Sequence, residues 1–447
     1  MVIGLARQGK ALARYLVAHG AAVVISDIRT MRDLQVEMSE LADLNIEYVL
    51  GEHPASLLEG SDALFLSGGV PADLPLAQQA RQRGIAVLND AQLFLEACPS
   101  NVIGITGSAG KTTTASLAAR MAAIAFEGTD RRMWLGGNIG RPLLLDLEQM
   151  QAADLAVMEL SSFQLELMTV SPHIAGVLNF TPDHLDRHRT MQAYAAAKQH
   201  MLVNQAADDW AVLGHGDSAV WSWREQVRGH LASFGLADIR LPDSAYVEDG
   251  SLMLRTAGRE QRVCAGEEVQ LRGEHNLLNV LAACMLCGLA GIETAAMEQA
   301  ARTFSGVPHR LEFVRELDGV AWYNDSIATT PDRALAAVHA FSEPLIVLLG
   351  GHDKDLPWTA FLEQVVARVA GLVAFGEAGA KIERQARELD PSLHIERAPG
   401  LEEAVALAAG MAQPGMVVLL SPGCTSFDEF SNYEERGARF REWVRAR

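Results

Sequence analysis

The chain has 447 residues, 49% hydrophobic and 21% charged, which suits two to four globular domains with well-filled cores. Its formal net charge of −19 argues against general binding to nucleic acid or to an anionic membrane surface. The cysteines at 98, 264, 284, 287 and 424 are odd in number and irregularly spaced, which argues against a disulfide framework. Cys284 and Cys287 form a C-x-x-C inside an apolar helical pattern and read as buried structural thiols. The opening MVIGLARQG lacks a basic region and a long apolar core, and no apolar run reaches about 20 residues. A cytoplasmic protein without membrane insertion is therefore expected.

In chain order, the apolar runs at 2–6, 22–27, 63–69 and 85–90 read as strands, with helical stretches at 8–20 and 75–84 between them. This alternation predicts an open α/β domain over 1–89. Its first strand has no lead-in, which points to sequence upstream of residue 2. VIGLARQG followed by Asp27 echoes a dinucleotide fold, but G-x-x-x-x-G is not the G-x-G-x-x-G fingerprint. A helix start facing a diphosphate is compatible with it.

A second domain, 90–306, opens with the strand NVIGIT and the loop GITGSAGKTTT at 104–114. Strand, glycine turn and Lys-Thr at a helix start make a phosphate cradle, although the glycine spacing misses the general G-x-x-x-x-G-K-[ST] pattern. Lys111 would reach the terminal phosphates and Thr112 a magnesium ion. Two further buried strands end in polar residues, at LAVMELSS and IAGVLNFTPDH. Glu159, ending the first, reads as a magnesium ligand or as a solvated capping residue. Asp183, His184, Asp186 and His188 read as a metal-binding cluster or a polar loop.

Only five of the 37 basic residues are lysines, at 10, 111, 198, 354 and 381. A retained lysine marks a place where arginine chemistry does not serve. Lys198 lies on a helix near the supposed magnesium centre, which makes sense if its amine is carbamylated into an oxygen ligand. The third domain, 307–447, restarts the strand–helix alternation. Arg310 stands at its boundary, where it reads as a phosphate clamp or a surface ion pair. Asn324, Asp325, Ser326, Lys354 and the loop SPGCTSFDEFSNYEERG stand at strand ends, where such sheets bind ligands.

These motifs in this order resemble the Mur ligase family of peptidoglycan synthesis over essentially the whole chain, nearest to the members that add glutamate to UDP-N-acetylmuramoyl-L-alanine. The family's T-G-x-x-G-K-[ST] loop matches Thr106 to Thr112, with Ala109 in place of the usual asparagine. GGNIG, ELSSFQLE, DHLDRH and GEHNLLN match as well. The resemblance implies an α/β protein with a Rossmann-like UDP-binding domain, a central P-loop ATPase-type domain and a Rossmann-like glutamate-binding domain.

It further implies ATP contacts from Thr106, Gly107, Ser108, Ala109, Gly110, Lys111, Thr112, Thr113, Asn276, Asn279, Arg310 and Asp325. Thr112 and Glu159 would hold one magnesium ion, and His184 with carbamylated Lys198 a second. Lys111, Glu159, His184, Lys198 and Arg310 form the implied catalytic set. Arg7, Gln8, Asp27, Ile28, Arg29, Ser67, Asn138 and His184 fall where the UDP substrate binds, with Arg7, Gln8 and Ile28 departing from the commonest residues. Lys354, Ser426 and Tyr433 fall where glutamate binds, Tyr433 replacing a usual phenylalanine.

The implied reaction joins D-glutamate to UDP-N-acetylmuramoyl-L-alanine at the expense of ATP, in a monomer that closes its domains. Ile327 stands where many relatives carry lysine, and a similar S-I-x-T-T-P string accompanies L-glutamate-adding ligases. That variant, a folylpolyglutamate-type ligase and a nucleotide-binding regulator remain the alternatives.

Overall fold

The computed structural model describes residues 1–271, 273–353 and 358–447, without the side chains of residues 185, 186 and 332. It separates into two compact units, Met1–Phe304 and Ser305–Arg447. The first unit holds two sheets and the second holds one.

The first sheet runs β3-β2-β1-β4-β5, with β1 at Val2–Ile3, β2 at Val23–Asp27, β3 at Ile46–Leu50, β4 at Ala63–Leu66 and β5 at Ala86–Leu88. All neighbours are parallel. The expected strand at 2–6 stops at Ile3 because Gly4 turns the backbone at φ 91° toward the helix Arg7–Ala18. Strand β3 was not expected. Its IEYVL run is only half-buried and lacks the apolar density of its neighbours.

The second sheet runs β14-β13-β12-β11-β10-β9-β6-β8-β7. Its strands are β6 (Asn101–Thr106), β7 (Met133–Gly137), β8 (Leu155–Glu159), β9 (Ile174–Val177), β10 (Trp210–Gly214), β11 (His230–Phe234), β12 (Ser244–Glu248), β13 (Ser251–Thr256) and β14 (Arg259–Ala265). It is parallel from β7 to β12 and ends in an antiparallel meander, β12 to β14. Strands β8 and β9 are buried throughout, as helices on both faces of a parallel sheet require.

The helices Lys111–Ala125 and Glu274–Leu289 pack together in a core that contains Ile103, Val157, Leu281 and Met285. The thiols of Cys284 and Cys287 lie inside it, and burial pushes the Cys287 thiol up to about 12, which makes it inert. A second core joins the first sheet to the second, with Leu12, Phe65 and Phe94 beside Leu144, Met158 and Met168.

In the second unit the sheet runs β15-β16-β20-β17-β18-β19. Here β15 is Glu312–Leu317, β16 Val320–Asn324, β17 Leu345–Gly350, β18 Gly371–Phe375, β19 His394–Ala398 and β20 Val417–Gly423. Only β15 is antiparallel to its neighbour. β17, β18 and β20 are buried throughout, and separate apolar cores lie on the two faces of the sheet. Among the described residues no helix is long and apolar enough to cross a membrane.

Candidate functional site

The glycine loop leaves the carboxyl end of β6, where ligands of parallel α/β sheets bind. Gly110 takes φ 82° as it hands the chain to the helix Lys111–Ala125. A side chain there would meet Asn279 Oδ1 at 2.3 Å, so glycine is required twice over. Asn279 Oδ1 also accepts from Thr114 Oγ1 at 3.3 Å, and its amide donates to Asn276 Oδ1 at 3.2 Å. The two asparagines of GEHNLLN therefore sit behind the loop. Thr113 lies in the first turn of the helix, and Thr106 Oγ1 is buried with no hydrogen-bond partner among the described residues.

Two ammonium groups converge on one carbonyl. Lys111 Nζ donates to Gly107 O at 2.8 Å and Ser108 O at 3.0 Å, and Lys198 Nζ donates to Gly107 O at 2.9 Å. Lys198 comes from the helix Met191–Val203, is 1% exposed, and lies 4.6 Å from the centre of the Tyr194 ring. Burial, and then the Lys111 charge, bring its amine down to about 7, against the opposing pull of Asp183.

Glu159, at the end of β8, is 2% exposed. Thr112 Oγ1 donates to its Oε2 at 2.6 Å, and Asn138 Nδ2 to its Oε1 at 2.8 Å. Gly137 makes this possible, because at φ 93° a side chain would lie 2.4 Å from Glu159 O. One hydroxyl and one carboxylate at a phosphate loop are hard oxygen donors suited to magnesium, which takes few protein ligands and completes its shell with phosphate and water. Among the described residues no three His, Cys, Asp or Glu side chains gather into a metal site.

His184 stands apart from that pair. Its backbone takes φ 52°, its side chain is 44% exposed, and its ring lies 5.0 Å from Phe163 and 6.3 Å from Tyr194. His188 is buried instead, with Nε2 2.8 Å from Ser162 Oγ and its ring stacked on Phe163. Of the expected polar cluster, His184 thus faces outward while His188 packs. The Asp186 side chain lies outside the described residues. A groove of about 200 Å³ beside them is lined by Asp73, Phe163, Arg187 and Arg189.

The UDP-side candidates form two groups. At the junction between β1 and β4, Gln8 Oε1 accepts from Gly68 N at 2.9 Å, next to buried Ser67. Arg7 reaches across to the second sheet, donating to Gly140 O at 2.6 Å and toward Asn138 O at 3.4 Å. Asp27, at the end of β2, accepts from Leu5 N at 2.8 Å and from the Arg29 backbone at 2.9 Å, and pairs with the Arg29 guanidinium at 2.8 Å. Burial would raise this carboxyl, but those donors overcome it and hold it at about 2. Ile28 between them is 71% exposed.

In the second unit, Asp325 follows β16 and is 4% exposed. It accepts from Ser421 Oγ at 2.8 Å and Leu311 N at 3.2 Å. Burial dominates over these donors and raises it to about 7. Arg310 is exposed, and its charge acts on Asp325. Ser426 is 2% exposed, and Tyr433 O accepts from Ser326 Oγ at 2.8 Å. Lys354 lies outside the described residues.

The sequence reading missed Asn179 and Tyr194. Asn179 accepts from Ala109 N at 2.8 Å and donates to Ala109 O at 3.0 Å, clamping the loop at its departure from the family pattern. Tyr194 Oη lies 3.1 Å from Ser108 Oγ. Both fall in stretches singled out for other residues, and no local pattern marks a side chain that binds a loop 70 to 86 residues away.

The comparisons follow this division of labour. Residues 1–89 match the model described as "Mur ligase MurD-like, N-terminal domain", 105–287 the "Mur ligase middle domain", and 309–424 the "Mur ligase, glutamate ligase domain". The UDP-N-acetylmuramoylalanine--D-glutamate ligase of Symbiobacterium thermophilum is 41% identical, over 100% of this chain and 97% of its own. That of Caldanaerobacter subterraneus is 37% identical, over 99% and 97%. The fold matches UDP-N-acetylmuramate-alanine ligase MurC from Thermotoga maritima at a TM-score of 0.54 and 19% identity, covering 100% of this chain and 98% of that one. Three family models in chain order, and relatives similar from end to end, show that the chain belongs to the Mur ligase family.

Proposed function

We propose that the protein is an ATP-dependent ligase that joins D-glutamate to UDP-N-acetylmuramoyl-L-alanine, making a peptidoglycan precursor. The observation that carries this is the full-length similarity to curated D-glutamate ligases. The convergence of Lys111, Lys198, Thr112 and Glu159 on one glycine loop supports it. In this reading the alanine carboxylate attacks the γ-phosphate of ATP, giving an acyl phosphate and ADP. The glutamate amine then attacks the acyl carbon and phosphate leaves.

The Gly107–Thr112 backbone and Lys111 take the phosphates, and Asn179 keeps Ala109 in place for them. Asn138 and Thr112 orient the Glu159 carboxylate for magnesium, which when bound offsets the charge that develops on the transferred phosphoryl group. Carbamylation of Lys198 belongs to the same proposal. The reaction needs a neutral amine, and burial beside Lys111 favours one near neutral pH. With His184 the carbamate would serve a second magnesium ion. Arg7, Gln8, Asp27, Ile28, Arg29, Ser67 and Asn138 take the UDP substrate. In the second unit, Arg310 and Asp325 serve ATP and Lys354, Ser426 and Tyr433 glutamate. A cytoplasmic location and a monomeric chain complete the reading.

Ile327 favours one second reading, the L-glutamate form, since it removes a cation from the amino-acid side. The deciding assay follows ADP release with UDP-N-acetylmuramoyl-L-alanine and each glutamate enantiomer in turn. Release is expected only with the nucleotide substrate and D-glutamate together. Release that needs neither overturns the ligase reading, and a preference for L-glutamate selects the second form.

A further inference from the structure

The second unit buries a cation that the proposed function does not use. Arg436, in the helix Tyr433–Arg445, is 0% exposed. A guanidinium so deep normally meets a carboxylate, because an unpaired buried charge is costly. Among the described residues it makes no ion pair. Asp428 and Glu429 act on it only through their fields. The Asp428 carboxylate accepts from Glu377 N at 3.1 Å, and that of Glu429 from Leu401 N at 3.0 Å.

Two of the three guanidinium nitrogens of Arg436 are spent on the turn that follows β16. Nε donates to Ser326 Oγ at 3.0 Å, and Nη2 to Ser326 O at 2.9 Å. Nη1 is buried with no hydrogen-bond partner among the described residues. It lies against Gly351, where a side chain would come within 3.0 Å of it and 2.3 Å of Thr425 O. Gly351 needs its φ of 122° for the same crossing, which is locked by His352 N donating to Thr425 O at 2.9 Å. One guanidinium therefore hydrogen-bonds the turn that follows β16 and lies against Gly351 in the turn that follows β17, and that second turn is closed onto Thr425 after β20. Ile327 directly follows Ser326, and Ser426 directly follows Thr425, so the guanidinium lies among the turns at the carboxyl ends of strands, where a parallel sheet receives its ligand.

We propose that Arg436 is a positioning residue of the amino-acid subsite, bracing the turn after β16 against the turn after β17 and supplying a buried positive charge, without an ion-pair partner among the described residues, that makes the subsite favour a dicarboxylic amino acid. This inference rests on the reading that the second unit receives glutamate. Burial draws the guanidinium down to about 10, which still leaves it charged at neutral pH.

The test uses the full chain with R436Q and R436K, measuring KM for ATP, the nucleotide substrate and glutamate, and the preference for glutamate over glutamine. R436Q is expected to raise the glutamate KM at least tenfold and to narrow that preference, with the other two KM values within twofold of wild type. R436K, which keeps the charge, is expected to stay within threefold for glutamate. An unchanged glutamate KM in R436Q overturns the proposal. So does an equal rise in all three KM values, which marks a merely structural role, or an R436K as impaired as R436Q. If R436Q does not fold, R436K decides alone. A glutamate KM within threefold with the preference kept supports the proposal, and a tenfold rise overturns it. Wild-type ADP release that needs no glutamate brings down the functional reading, and this proposal with it. Wild-type dependence on glutamate with a normal R436Q brings down Arg436 alone.

Discussion

The loop region of the first unit and the strand ends of the second handle charge in opposite ways. At the loop, two ammonium groups share the Gly107 carbonyl, and Glu159 is held by neutral donors at the rim of the sheet. Charge is crowded there, and a polyanion with its metal would relieve the crowding. In the second unit Asp325 and Arg436 are buried with their hydrogen bonds going to serines and backbone rather than to an opposite charge, and Arg436 Nη1 has no partner among the described residues. The first arrangement is built to touch its ligand, and the second to shape turns and act through its field. The same desolvation shifts both groups of residues toward neutrality, but only at the loop does a like charge add to it.

The contrast is broken most severely at Lys198. Lys198→Ala is expected to lower kcat/KM by at least ~10³-fold, with high bicarbonate rescuing nothing. A nearly full rate would end the carbamate idea. Glu159→Gln keeps the shape but removes the charge that Thr112 and Asn138 orient, so kcat should fall ~10²-fold or more and the magnesium requirement should rise. An unaltered magnesium titration would remove Glu159 from the metal site.

Asp325 tests the buried side of the comparison. Its carboxyl is raised from 3.8 to about 7, so the folded state holds the proton more tightly than the unfolded state. Its contribution is fully present below pH ~4 and is lost as pH rises toward 7, on the order of 4 kcal/mol in all. Asp325→Asn should flatten that part of the stability–pH curve of urea unfolding, and a curve with its slope intact would refute the assignment. The smallest effect is expected at Asn179. Asn179→Ala frees the backbone of Ala109, costing about 1–2 kcal/mol and raising the ATP KM several-fold while the glutamate KM holds. Equal shifts in both would mean that the clamp does not serve the loop.

What was legible in the sequence was whatever repeats within a few residues. β6 and its following helix occupy the expected 101–106 and 111–125, because an apolar run, a glycine turn and an alanine-rich stretch are local signals. Polar strand ends were less legible. LAVMELSS and IAGVLNFTPDH read as longer strands, yet β8 stops at Glu159 and β9 at Val177, since pairing ends where the neighbouring strands end.

The sequence by itself determined that a glycine loop with Lys111 and Thr112 opens a helix, that Glu159 ends a buried strand, and that the chain resembles a family of ligases. Only the tertiary structure decided that Lys111 and Lys198 meet at one carbonyl, that Asn179 holds Ala109, that His188 packs while His184 faces outward, and that Arg436 bonds Ser326 and lies against Gly351. Those facts depend on which strands become neighbours. Strand order brings together residues as far apart as Ser326 and Arg436, and no periodicity along the chain encodes such a pairing.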